Sequence, residues 1–160
     1  MSASDADALV FALTERGQTI GTAESLTGGR LCAALVDVPG TSAVVRGAVV
    51  AYASEVKTGL LGVDPSIIDQ HGAVSAETAR AMAKQARTML GADWGIATTG
   101  VAGPDPAEGR APGTAYAAVA GPERVVDRCL VIDGDRDAVR AGTVRAALAL
   151  ALEEVAGSAG

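Results

Sequence analysis

The turn formed by residues 25–29 constrains the fold of this chain most, because it joins a short strand to a helix. Residues 19–23 predict the strand, and residues 30–36 predict the body of the helix. The first N–H groups of a helix have no internal partner and carry the positive end of its dipole, so such a turn can bind a phosphate or stabilise an oxyanion. Ser25 opens the turn. It is a candidate for chemistry, although a serine before a helix more often only caps it.

The rest of the chain continues the alternation of helices and strands. Apolar spacing predicts helices over residues 5–16, 54–62, 64–71 and 75–90, and a last one from Asp133 or Asp135 to residue 155. Further strands are predicted over residues 44–52, 94–98, 114–120 and 124–132, the last two as a hairpin across a Gly-Pro turn. We predict one α/β domain over residues 1–160, with three layers (α/β/α), a mixed sheet and a disordered tail at residues 155–160.

Two polar loops are expected to meet at one edge of this sheet. If the strands that end at Ala23 and Thr98 are parallel neighbours, the loops after them emerge on the same side, where ligands of open α/β folds bind. Ser25 and Thr99 then face one crevice. The loop of residues 99–114 is long enough to predict a functional role. Arg136 and Arg140 share one side of the last helix, and Arg140 is a candidate clamp for a phosphate or carboxylate.

Composition excludes several classes of protein. The net charge of −6 argues against an extended nucleic-acid surface, which needs Lys and Arg. A single histidine and the absence of a CxxC pair predict no metal site, and we expect no cofactor. Cys32 and Cys129 are expected to be buried free thiols. Without a leader pattern or an apolar run of membrane-spanning length, the protein is expected to be soluble and cytoplasmic, with no membrane partner.

A serine nucleophile needs a base, and the chain offers two candidates. Lys57 follows the second predicted strand and has apolar neighbours, so partial burial would lower its pKa and suit it to act as a general base. A lysine at this spacing more often lies on the surface. His71 would give a Ser/His pair. A histidine before a glycine at a helix end more often interacts with the terminal carbonyls. The residues alone leave both bases open.

A set of ordered motifs spans nearly the whole chain, from about Leu9 to Val155. They are AESLTGG (23–29), PGTS (39–42), Tyr52 with Lys57, GAVS (72–75), TGVAGP (99–104), GT (113–114) and GDRDAVRAGTV (134–144). Together they resemble the C-terminal domain of the competence/damage-inducible protein CinA, a family that includes nicotinamide-nucleotide amidohydrolases. Matches of this number, in this order, are specific.

The resemblance implies hydrolysis of the carboxamide of nicotinamide mononucleotide to nicotinic acid mononucleotide and ammonia, in pyridine-nucleotide salvage. It implies a serine nucleophile assisted by a lysine, which selects Ser25 and Lys57 over His71, with Tyr52 assisting near the reacting group. The expected substrate-binding residues are Ser42, Thr99, Gly100 and Arg140, with Thr27, Gly28 and Gly29 at the oxyanion. We expect a small nucleotide as the ligand, no nucleic acid, and a homo-oligomer.

The sequence also departs from the family pattern. Many members have a glycine-rich stretch after the GP of TGVAGP, whereas this chain has Asp105, Pro106, Ala107 and Glu108, so we expect the loop to close differently over substrate. Many relatives carry an N-terminal domain resembling molybdopterin-binding proteins, and any activity seated there is expected to be absent from these residues. The rival functions are a catalytically silent member that binds a nucleotide or a protein, and a DNA-processing adaptor. The acidic balance argues against the adaptor.

Overall fold

The computed structural model describes residues 3–159. Its helices are α1 (Asp5–Arg16), α2 (Arg30–Val36), α3 (Ser54–Gly59), α4 (Pro65–His71), α5 (Ala76–Met89) and α6 (Arg136–Gly157). Its strands are β1 (Ile20–Glu24), β2 (Val45–Val50), β3 (Trp94–Gly100), β4 (Thr114–Ala120) and β5 (Val125–Val131). A short 3₁₀ helix (Thr41–Ala43) precedes β2. The order of these elements follows the predicted alternation.

The five strands form one mixed sheet in the order β2-β1-β3-β4-β5. β1 lies parallel to both β2 and β3, and Ala23 pairs with Ala97. β3, β4 and β5 are successively antiparallel, so the predicted hairpin is confirmed. The parallel pairing of β1 and β3 brings their carboxyl ends to the same edge, as predicted.

Helices cover both faces of the sheet, which confirms the three-layer α/β/α prediction. One cluster of buried side chains joins α1, α2 and α6 to Ile20 and Ile96. The other joins α5 to Ala97 and Ala118. Successive residues of a strand point to opposite faces, so Ile96 and Ala97 contribute to different layers. α5 also approaches the backbone closely at Gly95, where an added Cβ would collide with the carbonyl oxygen of Ala83.

Side-chain caps fix the starts of the long helices. Ser75 accepts a hydrogen bond from the N–H of Thr78, and Asp135 accepts one from Ala138, so both predicted starts are confirmed. The helix predicted over residues 54–62 begins at Ser54 as predicted but ends earlier, at Gly59. The chain turns there because Leu61 enters the core, where it is 1% exposed.

Two further predictions need correction. Residues 155–160 were predicted to form a disordered tail, but α6 continues to Gly157. Val155 is fully buried, and Arg16 donates a 2.7 Å hydrogen bond to the hydroxyl of Ser158. Gly160 lies outside the described residues. Both cysteines are free, but neither is buried as predicted, because Cys32 is half-buried on α2 and Cys129 is exposed on the edge strand β5. Among residues 3–159, no helix has the length and apolar composition needed to cross a bilayer.

Candidate active site

Three neighbouring strands end at one cavity of about 230 Å³. Ser25 follows β1, Tyr52 follows β2, and Thr99 and Gly100 end β3, and all four residues line this cavity. The parallel strands therefore bring residues from distant parts of the sequence together at one edge. A cavity of about 340 Å³ lies at the other end of β3, around Trp94, and neither Ser25 nor Lys57 lines it.

Lys57 and Ser25 meet at the floor of the smaller cavity. The Lys57 Nζ donates hydrogen bonds of 3.0 Å to Ser25 Oγ and 3.0 Å to the Tyr52 carbonyl oxygen. Lys57 is only 2% exposed and Ser25 only 7%. Burial lowers the pKa of the Lys57 amine from its ordinary value of 10.5, and the carboxylates of Glu108 and Glu55 oppose part of that shift. A 3.0 Å separation also lets the serine hydroxyl donate to the neutral amine.

The fold around α3 explains why this lysine is buried. α3 begins four residues after β2 ends, so its first turn lies at the carboxyl edge of the sheet. Leu61 and Val63, directly after α3, are 1% and 2% exposed and hold the helix against the core. The Lys57 side chain is thereby enclosed between this apolar segment and the Ser25 turn. The sequence suggested partial burial only as the less common alternative.

The expected oxyanion site at the start of α2 is already filled by a protein carboxylate. Glu24 is fully buried, and its two oxygens accept five hydrogen bonds. The donors are the hydroxyls of Thr22 and Thr27 and the N–H groups of Gly29, Leu31 and Cys32. This carboxylate neutralises the positive end of the helix dipole. The N–H of Gly29 and the hydroxyl of Thr27 therefore point toward Glu24 instead of the cavity.

The remaining donors of the turn lie closer to Ser25 in sequence. The N–H of Gly28 bonds to the Ser25 carbonyl oxygen, and the N–H of Ser25 bonds to Thr98. Within residues 3–159, the N–H groups of Leu26 and Thr27 make no hydrogen bond. They are the backbone donors of the turn that remain available to a ligand. Of these two residues Leu26 lines the cavity, so its N–H is the candidate backbone donor for an oxyanion formed at Ser25.

Two of the predicted substrate-binding residues lie outside the cavity. Arg140 spans back to the Ser25 turn, where Nε donates to the Leu26 carbonyl oxygen at 2.8 Å and Nη2 to that of Thr27 at 3.3 Å. It braces the turn. Ser42 is exposed in the 3₁₀ helix before β2. Since β2 is parallel to β1, Ser42 lies at the amino edge of the sheet, one strand length from Ser25 within the chain.

Other candidates are held by specific contacts around the cavity. The Thr99 hydroxyl donates to the Ala73 carbonyl oxygen at 2.7 Å. The Tyr52 side chain is 60% exposed and its hydroxyl accepts a 3.0 Å hydrogen bond from Arg136. Arg136 lines the cavity one helical turn before Arg140. His71 does not line this cavity, and its Nδ1 lies 3.9 Å from Glu77. The helix-end position predicted for His71 is confirmed.

Sequence reasoning missed Glu108 as a cavity residue. Its carboxylate accepts hydrogen bonds from the N–H groups of Ala73, at 3.1 Å, and Val74, at 3.0 Å. Its backbone has a φ of 53°, which is uncommon for a residue other than glycine. The position falls in the loop that departs from the glycine-rich family pattern, and that departure was the available signal.

Comparison with known proteins identifies a family that matches nearly the whole chain. The model of the CinA C-terminal domain family matches residues 3–155. A CinA-like protein of Frankia casuarinae is 48% identical over 145 residues, which cover 91% of this chain and 34% of the relative. A CinA-like protein of Gloeobacter violaceus is 45% identical over 159 residues, covering 95% of this chain and 37% of the relative. The chain thus spans about a third of the length of these curated relatives.

Solved structures match the chain over nearly their whole length. A competence-damaged protein (CinA) superfamily protein from Klebsiella pneumoniae has a TM-score of 0.93 at 35% identity, covering 96% of this chain and 97% of that one. The competence/damage inducible protein CihA from Agrobacterium tumefaciens has a TM-score of 0.86 at 33% identity, covering 96% of this chain and 100% of that one. These names refer to competence and damage and state no reaction.

Proposed function

This chain belongs to the CinA C-terminal domain family, and from that premise we propose that it hydrolyses the carboxamide of nicotinamide mononucleotide to nicotinic acid mononucleotide and ammonia. Ser25 is the nucleophile and Lys57 is the general base. The reaction would serve pyridine-nucleotide salvage. The observation that carries the proposal is the 3.0 Å contact between Ser25 Oγ and a Lys57 amine that is 2% exposed.

The burial of Lys57 supplies the chemistry that a serine hydroxyl needs. A serine is a weak nucleophile unless a neighbouring base takes its proton. Desolvation lowers the Lys57 pKa, so a larger share of the amine is neutral near physiological pH than for a lysine in water. The Tyr52 carbonyl oxygen fixes the position of Nζ at 3.0 Å and directs it toward Ser25. The pair is therefore aligned before substrate binds.

The reaction then proceeds in two balanced halves. Ser25 Oγ attacks the carboxamide carbon as Lys57 Nζ accepts the hydroxyl proton, and the N–H of Leu26, which lines the cavity, stabilises the oxyanion. The C–N bond breaks as the Lys57 ammonium returns that proton to the leaving nitrogen, which departs as ammonia. Water next attacks the ester carbon as Lys57 Nζ accepts a proton from it, and the Lys57 ammonium gives that proton to Ser25 Oγ as the C–O bond breaks. The products are nicotinic acid mononucleotide, whose acid group ionises to the carboxylate, and free Ser25.

Ammonia release from nicotinamide mononucleotide, measured with a chelator present, tests the proposal. We expect Ser25→Ala to lose nearly all of the wild-type rate. Ser54→Ala is the matched control, because Ser54 lines the same cavity. It should keep the rate within a few-fold. Equal rates for wild type and Ser25→Ala would refute the serine mechanism. Saturable binding of the mononucleotide without turnover would instead identify a catalytically silent member.

A further inference from the structure

The candidate active site has one negatively and one positively charged side chain at its rim, and the Ser25–Lys57 pair at its floor. Resting on the function proposed above, we propose that Glu108 and Arg136 select a zwitterionic substrate, with Glu108 facing the cationic pyridinium ring and Arg136 binding the phosphate. The cavity would then discriminate by charge between an N-ribosylated nicotinamide nucleotide and a neutral amide. Neither residue was a candidate for these roles from the sequence.

Glu108 is fixed in the cavity by backbone donors. The N–H groups of Ala73 and Val74 bind one carboxylate oxygen each, which holds the group against the segment before α5. An added Cβ at Gly72 would lie 2.9 Å from Oε2, so the same segment approaches closely there. The carboxylate is near enough to Lys57 to perturb that amine electrostatically. A negative charge therefore lies in the same cavity as the Ser25–Lys57 pair.

Arg136 provides the opposite charge at the mouth of the cavity. Its Nη1 donates to the Gly103 carbonyl oxygen at 2.8 Å, and its Nη2 donates to the Tyr52 hydroxyl at 3.0 Å. A guanidinium has five N–H donors, so these two contacts fix its plane and leave other donors for an anion. No carboxylate within residues 3–159 pairs with Arg136 as an ion pair.

The depth of each group matches the charge pattern of the proposed substrate. Ser25 and Lys57 are buried, whereas Tyr52, Glu108 and Arg136 are exposed, so the amide belongs at the floor and charged groups at the rim. In nicotinamide mononucleotide the amide is attached to a ring whose nitrogen is positively charged, and the ribose carries a phosphate. Glu108 and Arg136 thus complement two charges that free nicotinamide lacks. Opposite charges at a partly desolvated rim favour the matching ligand over neutral ones.

Calorimetric binding to the non-hydrolysing Ser25→Ala protein tests this inference with three ligands. They are nicotinamide mononucleotide, its riboside (cationic, without phosphate) and free nicotinamide (neutral). Adding Glu108→Gln should weaken binding of both the mononucleotide and the riboside by roughly two- to fivefold, the range expected for a partly exposed charge pair. Adding Arg136→Gln should weaken the mononucleotide similarly and leave the riboside unchanged. Neither change should alter nicotinamide binding.

Two substitutions serve as matched controls. Asp105→Asn removes a negative charge from the same loop, and Arg145→Gln removes a positive charge from the same helix, and neither residue lines the cavity. Both should leave all three affinities unchanged. If Glu108→Gln and Arg136→Gln weaken every ligand alike, or change none, or if the mononucleotide does not bind, the inference is refuted.

Turnover by the wild-type protein distinguishes this inference from the proposed function. Ammonia release without charge-dependent binding would refute the inference and leave the function standing. Charge-dependent binding without ammonia release would refute the function and support the inference. Circular dichroism of each variant shows whether a loss of affinity accompanies a loss of fold.

Discussion

Replacing Glu24 with glutamine should destabilise the whole domain, although the change adds no heavy atom and creates no cavity. The buried carboxylate accepts three backbone N–H donors and two hydroxyls where β1, the Ser25 turn and α2 meet. A glutamine amide can supply only one acceptor oxygen. The best orientation keeps that oxygen at the position of Oε1, which accepts from Thr27, Gly29 and Leu31.

The loss of stability then arises at the position of the other oxygen, Oε2. Glu24→Gln places an NH₂ where Oε2 accepts from the Cys32 N–H at 3.0 Å, so two donors face each other in a buried site. A buried donor left without a partner costs about 1–3 kcal/mol. Loss of the negative charge at the start of α2 adds about 0.5–1 kcal/mol. The Thr22 hydroxyl, 3.2 Å from Oε2, can rotate and accept, and adds little. We therefore expect the free energy of unfolding to fall by about 2–4 kcal/mol.

Thermal and urea unfolding followed by circular dichroism measure this effect. At about 2–4 °C per kcal/mol for a domain of this size, the midpoint should drop by about 5–15 °C. Glu15→Gln, at an exposed position of α1, is the matched control and should change the midpoint little. A Glu24→Gln protein within about 0.5 kcal/mol of wild type would refute the role assigned to this carboxylate.

Further predictions concern Lys57. Lys57→Met should raise the free energy of unfolding by about 1–2 kcal/mol at neutral pH, because it removes a buried amine whose charged form is poorly solvated, and urea unfolding checks this. Since the folded pKa of Lys57 lies below 10.5, wild-type stability should rise with pH between the two values, and the advantage of Lys57→Met should shrink there. The kcat/KM of the wild type should rise with pH through the lowered Lys57 pKa, and Glu108→Gln should move that rise to lower pH because it removes a charge that opposes the shift. If Glu108→Gln leaves the pH dependence of kcat/KM unchanged, the electrostatic effect of Glu108 on Lys57 is refuted. Asp105→Asn is the control and should leave the pH dependence unchanged.

The sequence was most informative where local patterns determine structure. The strand endings predicted that Ser25 and Thr99 would lie together, because the carboxyl ends of parallel neighbours share an edge. Parallel pairing of β2 could also have placed Ser42 at the opposite edge, since the residue precedes that strand. The family resemblance instead implied a substrate-binding role for Ser42, and the topology places this residue away from the cavity.

The rest depended on packing that no local pattern encodes. Arg136 and Arg140 share a helix face, and only the position of α6 along the sheet determines that Arg136 reaches the cavity while Arg140 braces the turn. The role of Glu24 had one local signal, since the first turn of α2 contains no acidic residue to stabilise its start. The burial of Lys57 depends on how the segment after α3 enters the core. Its pKa could not be derived before that was known.

The kcat of Lys57→Met with nicotinamide mononucleotide tests the central claim most directly. Lys84→Met is the matched control, because Lys84 is the other lysine of the chain and is exposed on α5. Because a general base contributes about 10²–10⁴-fold, we predict that Lys57→Met lowers kcat at least about 100-fold while Lys84→Met does not. A folded Lys57→Met protein that releases ammonia at the wild-type rate would contradict the account.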